Sequence, residues 1–310
     1  MGPNPTEHHG ENAQRLDVVL MVDAFAEVED IPFPLPKHFE EEISLASDLA
    51  IAPLPSVRGE LLAACDPRGI NWTPPHKNYG ANYAIIRRNP PTELSLAFDP
   101  DRRLWTCVQL SRLIRPTSIG LGHGGRLSLT KTGEVERFVP SRIDGPAGRG
   151  WVAEPDKNWI RDVDIADIRT VLAAFEAHPL PERVIQGLWQ HEFLHQVPFV
   201  DVRWPLAAAG LESFVHTDRE RSTRQFVVRI LGIQEHLGVQ LASEDELVRA
   251  YDRRSAIAHG RRLGDLNPEI RADYVKLEGA LRTILVSAIR DPAFGGIFAN
   301  ADRIRDMWPV

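Results

Sequence analysis

Only two cysteines, Cys65 and Cys107, occur in 310 residues. That is too few for a disulfide framework, so a reducing compartment is expected. No apolar run approaches the roughly 20 residues that a bilayer-crossing helix needs. The first residues also lack the basic-then-apolar pattern of a secretion signal. These absences make the cytoplasm the expected location and leave no place for a membrane partner. Lysine is scarce too, with five residues against 31 arginines. Guanidinium-rich chains suit phosphate recognition, although a compositional bias produces the same ratio. No internal repeat or long low-complexity tract is visible.

What remains is ordinary globular material: 43% hydrophobic and 25% charged residues, in a chain long enough for two cores. The net charge of −7 is unevenly placed. Residues 1–50 hold eleven acids against Arg15 and Lys37, or −9, so residues 51–310 sum to +2. This balance neither demands nor excludes a nucleic-acid substrate.

The pattern along the chain predicts an α+β protein in three stretches. Residues 1–15 are polar and rich in proline and glycine, and are expected to be disordered. His8 and His9, within them, are too small a cluster for a metal site. Residues 16–165 read as a mixed, β-rich region of unknown role. Within it, strands are expected at 16–21, 83–86 and 93–98, and a hairpin from 126–130 and 134–139 through Lys131-Thr132-Gly133. Short helices are expected at 39–51, with Glu40, Glu41 and Glu42 in its first turn, and at 56–65. Residues 104–114 fit strand or helix equally. Residues 166–310 read as all-helical, with Asn267-Pro268 opening a long amphipathic helix to about Arg290. Phe298, Ile304, Met307 and Trp308 are expected to dock the tail, on the bundle or at a dimer contact.

The chemistry concentrates in Tyr251-Asp252-Arg253-Arg254-Ser255-Ala256-Ile257-Ala258-His259-Gly260. Ser243-Glu244-Asp245-Glu246 has the form of a capping box opening this helix, and Gly260 can end it in the left-handed conformation. Leu247, Ala250, Tyr251 and Ala258 fall on one buried stripe, and so does Arg254, which therefore needs a carboxylate, a phosphate or a subunit boundary. Glu212, the only charge between Pro205 and Val215, is the candidate partner, in a structural ion pair or a catalytic role. Arg249, Asp252 and Arg253 lie off the stripe and are expected to be solvated. Ser255 and His259 share a helix face, whereas Arg254 is turned about 140° from His259.

Two further segments match motifs literally. Gly120-Leu121-Gly122-His123-Gly124-Gly125 fits G-x-G-x-x-G, but a strand rather than a helix is predicted after it, which favours a plain turn. His191-Glu192-Phe193-Leu194-His195 fits H-E-x-x-H on a helix over 181–197, where the two histidines could hold zinc with Glu192 as general base. The metzincin third ligand would fall at Asp201, so that extension is absent; Glu212 could be a third ligand of the gluzincin type. The alternative is a partly exposed helix whose Leu188, Trp189, Phe193 and Leu194 pack and whose histidines are solvated.

The arginine-polar-histidine spacing of Arg254, Ser255 and His259 resembles the HEPN ribonuclease motif. Leu206-Ala207-Ala208-Ala209-Gly210-Leu211-Glu212-Ser213-Phe214 resembles the "ALE" helix of the ApeA-like HEPN subfamily, with Gly210 in place of the usual alanine. Arg224-Gln225-Phe226-Val227-Val228-Arg229-Ile230-Leu231-Gly232 resembles its second helix, and order and spacing agree over residues 204–262. The resemblance implies an all-α HEPN bundle that dimerises around a composite cleft and cleaves RNA without metal or other cofactor. It implies that His259 is general acid or base, that Arg254 holds the scissile phosphate, and that Ser255 orients either. The products would be a 2′,3′-cyclic phosphate and a 5′-hydroxyl. An anti-phage or toxin-type effector role would follow. A non-catalytic HEPN module binding nucleotide or RNA, and a zinc hydrolase through His191 and His195, are the alternatives.

Overall fold

The structure, a computed structural model, describes residues 14–23, 41–53, 83–88, 102–116, 119–120, 124–129, 135–141, 160–197, 199–218, 220–263 and 267–310. The expected strand at 93–98, helix at 56–65, Lys131-Thr132-Gly133 turn and His8-His9 pair lie outside these residues. The chain divides into two compact units that interleave: residues 1–106 with 120–147, and residues 107–119 with 148–310. The sequence pattern suggested a single boundary near residue 165.

The first unit carries an antiparallel sheet. Its strands are β1 (Gln14–Asp23), β2 (Ile43–Ser44), β3 (Leu49–Pro53), β4 (Tyr83–Arg88), β5 (Ile119–Gly120, with Gly120 in this unit), β6 (Gly124–Leu129) and β7 (Val135–Ser141). They lie in the order β2-β3-β4-β1-β6-β7, with β5 also paired to β1. The long β1 organises the sheet: Val18 stands opposite Ile86 of β4 on one side and Gly125 of β6 on the other. The expected hairpin is present, β6 pairing antiparallel with β7. The last two glycines of the segment at 120–125 belong to β6 itself, so the segment leads into a strand and not into a helix N-terminus.

The helix expected over 39–51 is not formed in its described part. Residues 45–48 bend back, with the Leu45 N–H donating to the Leu49 carbonyl at 2.7 Å, and Leu49-Ala50-Ile51 runs as a buried strand. A short, continuously apolar run suits an inner strand as well as a helix, and pairing with β4 decides between them. Glu42, expected at a helix start, instead pairs with Arg88 of β4.

The second unit is a helical bundle. Its helices are α1 (Arg102–Ile114, from Cys107 onward), α2 (Asp162–Ala177), α3 (Glu182–Gln196), α4 (Val200–Glu212), α5 (Ser222–Leu237), α6 (Glu244–Ala258), α7 (Pro268–Arg290), α8 (Pro292–Ile297) and α9 (Ala301–Met307). The ambiguous stretch at 104–114 is thus helical, and it buries Cys107, Val108, Leu110 and Leu113. Two ion pairs fix α1 in the bundle. Arg112 Nη1 lies 2.5 Å from Glu192 Oε1 of α3, and Arg115 Nη2 donates to Asp164 Oδ1 of α2 at 3.1 Å.

Helices α3 and α4 form a hairpin across a short connection, and α7 runs through the core with Tyr274, Leu277, Leu281, Ile284 and Leu285 buried. The tail docks on the bundle, as expected of Phe298, Ile304 and Trp308. Phe298 meets Phe214 edge to face at 4.9 Å between centroids, and Arg229 Nε donates to the Trp308 carbonyl at 3.2 Å. Met307, expected to dock with them, is exposed.

Close approach of α4 to α7 explains the glycine at 210. A Cβ built there would stand 2.6 Å from Leu281 Cδ2, and Leu281 is fully buried. Gly210→Ala gains about 0.5–1 kcal/mol of helix propensity but overpacks a full core at about 1–3 kcal/mol. The expected net loss is about 1 kcal/mol in denaturant unfolding, and it shrinks in a Leu281→Val background because the two positions share one space.

Helix α6 opens on the expected capping box. Ser243 Oγ accepts from the Glu246 N–H at 3.4 Å, while Glu246 Oε2 accepts from the Ser243 N–H at 2.8 Å. Glu246 also pairs with Lys276 of α7. The Lys276 hydrogen bond first, then the Ser243 N–H, hold the Glu246 carboxyl down at about 2. A depressed carboxyl stabilises the fold fully above its unfolded value, near 4.5, and the contribution fades as pH falls towards 2. Chemical unfolding of Glu246→Gln at a series of pH values should show the variant less stable at pH 6, with the gap to wild type closing between about pH 4.5 and pH 2.

Candidate functional site

Helix α6 ends as the sequence requires. The Arg261 N–H donates to the Ala256 carbonyl at 3.0 Å and the Gly260 N–H to the Ile257 carbonyl at 2.9 Å. Gly260 has φ +83°, which only glycine adopts at little cost. This pair of bonds is a Schellman closure, and it makes His259 the C-cap residue, with its backbone N–H on the Ser255 carbonyl at 3.1 Å. His259 is exposed and Ser255 half-buried. Beyond the turn, Asp201 at the start of α4 accepts from the Leu263 N–H at 3.0 Å and pins the exit of the chain.

The partner expected for Arg254 is in place. Arg254 Nη2 donates to Glu212 Oε2 at 2.9 Å, with the two side chains 34% and 18% exposed. The guanidinium carbon also stands 5.6 Å from the centre of the Tyr251 ring. Burial pushes the Tyr251 phenol up, against a hydrogen bond with Ser222, so the phenol keeps its proton beside Glu212. The last turn of α4 and the middle of α6 thus present one arginine, half open to solvent, held on a carboxylate and an aromatic face. A further tie holds the helices in register: Trp204 Nε1 donates to the Ala250 carbonyl at 2.9 Å.

Within one chain, the site therefore contains Glu212, Tyr251 and Arg254 as a contact group, with Ser255 and His259 further along α6. Three expectations for α6 are corrected. Ala258, placed on the buried stripe, is exposed because the helix runs clear of the core in its last turn. Arg249 and Arg253 are not merely solvated. Both pair with the buried Asp273 of α7, Arg249 Nη2 at 3.2 Å from Oδ1, and Arg253 also lies 5.3 Å from the centre of the Trp204 ring. A carboxylate inside α7 draws in both arginines, and nothing local to α6 announces it. Asp252 is exposed, as expected.

The histidines of the H-E-x-x-H segment are not on a solvated face. His191 and His195 are 1% and 9% exposed, whereas Trp189 and Phe193, expected to pack, are 49% and 45% exposed and stack on each other at 5.9 Å. Helix α3 is turned so that its histidines face inward. Their Nε2 atoms are 3.3 Å apart, and Nε2 of His195 is 3.7 Å from Glu278 Oε1 of α7. Glu278, not Glu212, is the third group at this cluster, and the sequence offered no sign of it because it lies 83 positions beyond His195. Glu192 is bound by Arg112, and its Oε2 has no hydrogen-bond partner among the described residues. Burial first, then the charges of Arg282 and Arg112, hold His191 well below its ordinary value. Burial and then His191 hold His195 low as well.

Comparisons with protein-family models, with curated proteins and with solved structures find no match.

Glu212 and Arg254 should be thermodynamically coupled. Arg254→Met strands a largely buried carboxylate, while Glu212→Gln with Arg254→Met removes both charges together. A double-mutant cycle by urea unfolding is expected to give an interaction energy of about 1 kcal/mol, at the upper end for partly exposed pairs. Additive losses would mean that the contact carries no net energy.

Proposed function

We propose that the helical unit is a metal-independent endoribonuclease of the HEPN type that works as a dimer. The observation that carries this reading is Arg254, held by Glu212 and the Tyr251 ring yet half open to solvent, five residues before a histidine that caps the same helix. Glu212 occupies one edge of the guanidinium and fixes its plane. The remaining N–H groups can take two oxygens of a phosphate, a geometry that lysine cannot offer.

In this mechanism His259 removes the proton of a ribose 2′-OH or supplies one to the leaving 5′-oxygen, its two ring nitrogens offering an acceptor and a donor. The 2′-oxygen attacks the adjacent phosphorus, the bond to the 5′-oxygen breaks, and a 2′,3′-cyclic phosphate and a 5′-hydroxyl result. Arg254 neutralises the charge that builds on the phosphoryl oxygens. Ser255, half-buried one turn before His259, orients the imidazole or the phosphate. Since Arg254 and His259 point about 140° apart on one helix, a second copy across a two-fold axis completes the site. One chain's arginine then faces its partner's histidine. The anti-phage or toxin-type role belongs to this reading.

RNA cleavage in EDTA by the wild type, Arg254→Ala and His259→Ala tests it. The expected outcome is cleavage with cyclic-phosphate ends by the wild type and a fall of roughly 10²–10⁴-fold in His259→Ala. RNA bound but left intact by the wild type would support the binding-module alternative instead.

A further inference from the structure

The ribonuclease reading leaves the histidine pair on α3 unused. Two buried imidazoles facing each other across 3.3 Å, with a carboxylate from another helix beside them, are a specific arrangement. The ligand atoms of His191, His195 and Glu278 all lie within 4.8 Å of one another. We infer that these three side chains form a structural site for a zinc-type divalent transition metal, tying α3 to α7, with the second Glu278 oxygen completing four-coordination.

The spacing supports this. Two nitrogens each about 2.0–2.1 Å from a tetrahedral ion stand about 3.3 Å apart, which is the separation the two Nε2 atoms already have. Around the same tetrahedral ion the Glu278 oxygen would also stand about 3.3 Å from each nitrogen, so Glu278, now 3.7 Å from His195, closes on the ion by a side-chain shift of at most about 1.5 Å.

The surroundings select the class of ion. Arg112, Arg203 and Arg282 bring positive charge towards the cluster, and Glu192 and Glu278 offset two of the three. That field opposes a hard cation held by charge alone, and three ligands with a single carboxylate fall short of the oxygen shell that calcium or magnesium needs. It leaves ions that bond strongly to imidazole nitrogen. The site is also not a hydrolytic one. In a zinc peptidase the motif's glutamate works on a metal-bound water, but here Glu192 Oε1 is held by Arg112 at 2.5 Å and both histidines are closed to solvent.

The test uses the full chain, unfolded in chelator and refolded with one equivalent of Co²⁺, whose visible spectrum reports its coordination. The inference expects one Co²⁺ retained per chain after gel filtration, with the intense visible bands of a tetrahedral ion. Glu278→Gln, which keeps the side-chain volume, should weaken binding by more than the roughly 10–100-fold typical of losing an outer-shell partner. His191→Gln with His195→Gln should abolish the bands. Natively folded wild type that retains no Co²⁺ would overturn the inference and leave the histidines as an N–H···N hydrogen-bonded pair. Binding with weak octahedral bands that persists unchanged in the variants would overturn it equally, by placing the ion elsewhere.

Discussion

A carboxylate taken out of water must find a cation, and in the helical unit this demand decides where the helices sit. Among the described residues, four such carboxylates pair with an arginine from another helix, and they stand on four helices. Asp164 of α2 takes Arg115, Glu192 of α3 takes Arg112, Glu212 of α4 takes Arg254, and Asp273 of α7 takes Arg249 and Arg253. Each bond joins a different pair of helices, so the arrangement resists the sliding that a purely apolar interface tolerates. The scarcity of lysine fits this use. A planar fork with five donors satisfies a buried carboxylate more completely than a point charge on a flexible stem.

The candidate site inherits its order from that rule. Arg254 is fixed because Glu212 needs it, and α6 is held against α7 by Glu246 with Lys276 as well as by Asp273. His259, by contrast, is placed by the Schellman closure around Gly260, with the chain beyond it pinned by the bond from the Leu263 N–H to the Asp201 carboxylate. One half of the candidate site thus stands on an ion pair and the other on an exposed helix terminus.

Local rules made much of this visible in the sequence. The Ser243 box, the Asn267-Pro268 start and the Gly260 stop each depend on a few adjacent residues, and each appears where the sequence put it. The Glu212–Arg254 pair was legible for a different reason: a lone charge on an apolar helix poses a question that has few answers. What failed depended on distant partners. The helix expected over 39–51 gave way to strands because β4 was there to pair. The facing of α3 could not be read because Trp189 and Phe193 are as apolar as any core residue, while the polar residues that turn it inward answer to Arg112 and Glu278. The role of Arg253 was hidden in the same way behind Asp273.

The interleaving of the two units bears on how such a protein can change over generations. The stretch 107–119 belongs with the helices, yet the strands over 124–141 separate it from the rest of them. A gene fragment beginning at residue 148 would carry Glu192 and Asp164 but neither Arg112 nor Arg115. Each stranded carboxylate would cost about 3–5 kcal/mol, comparable with the whole stability of an ordinary domain. The helical part is therefore not a cassette that one crossover can move between genes. Moving it takes the segment that encodes those strands as well, because that segment lies between its two pieces in the sequence.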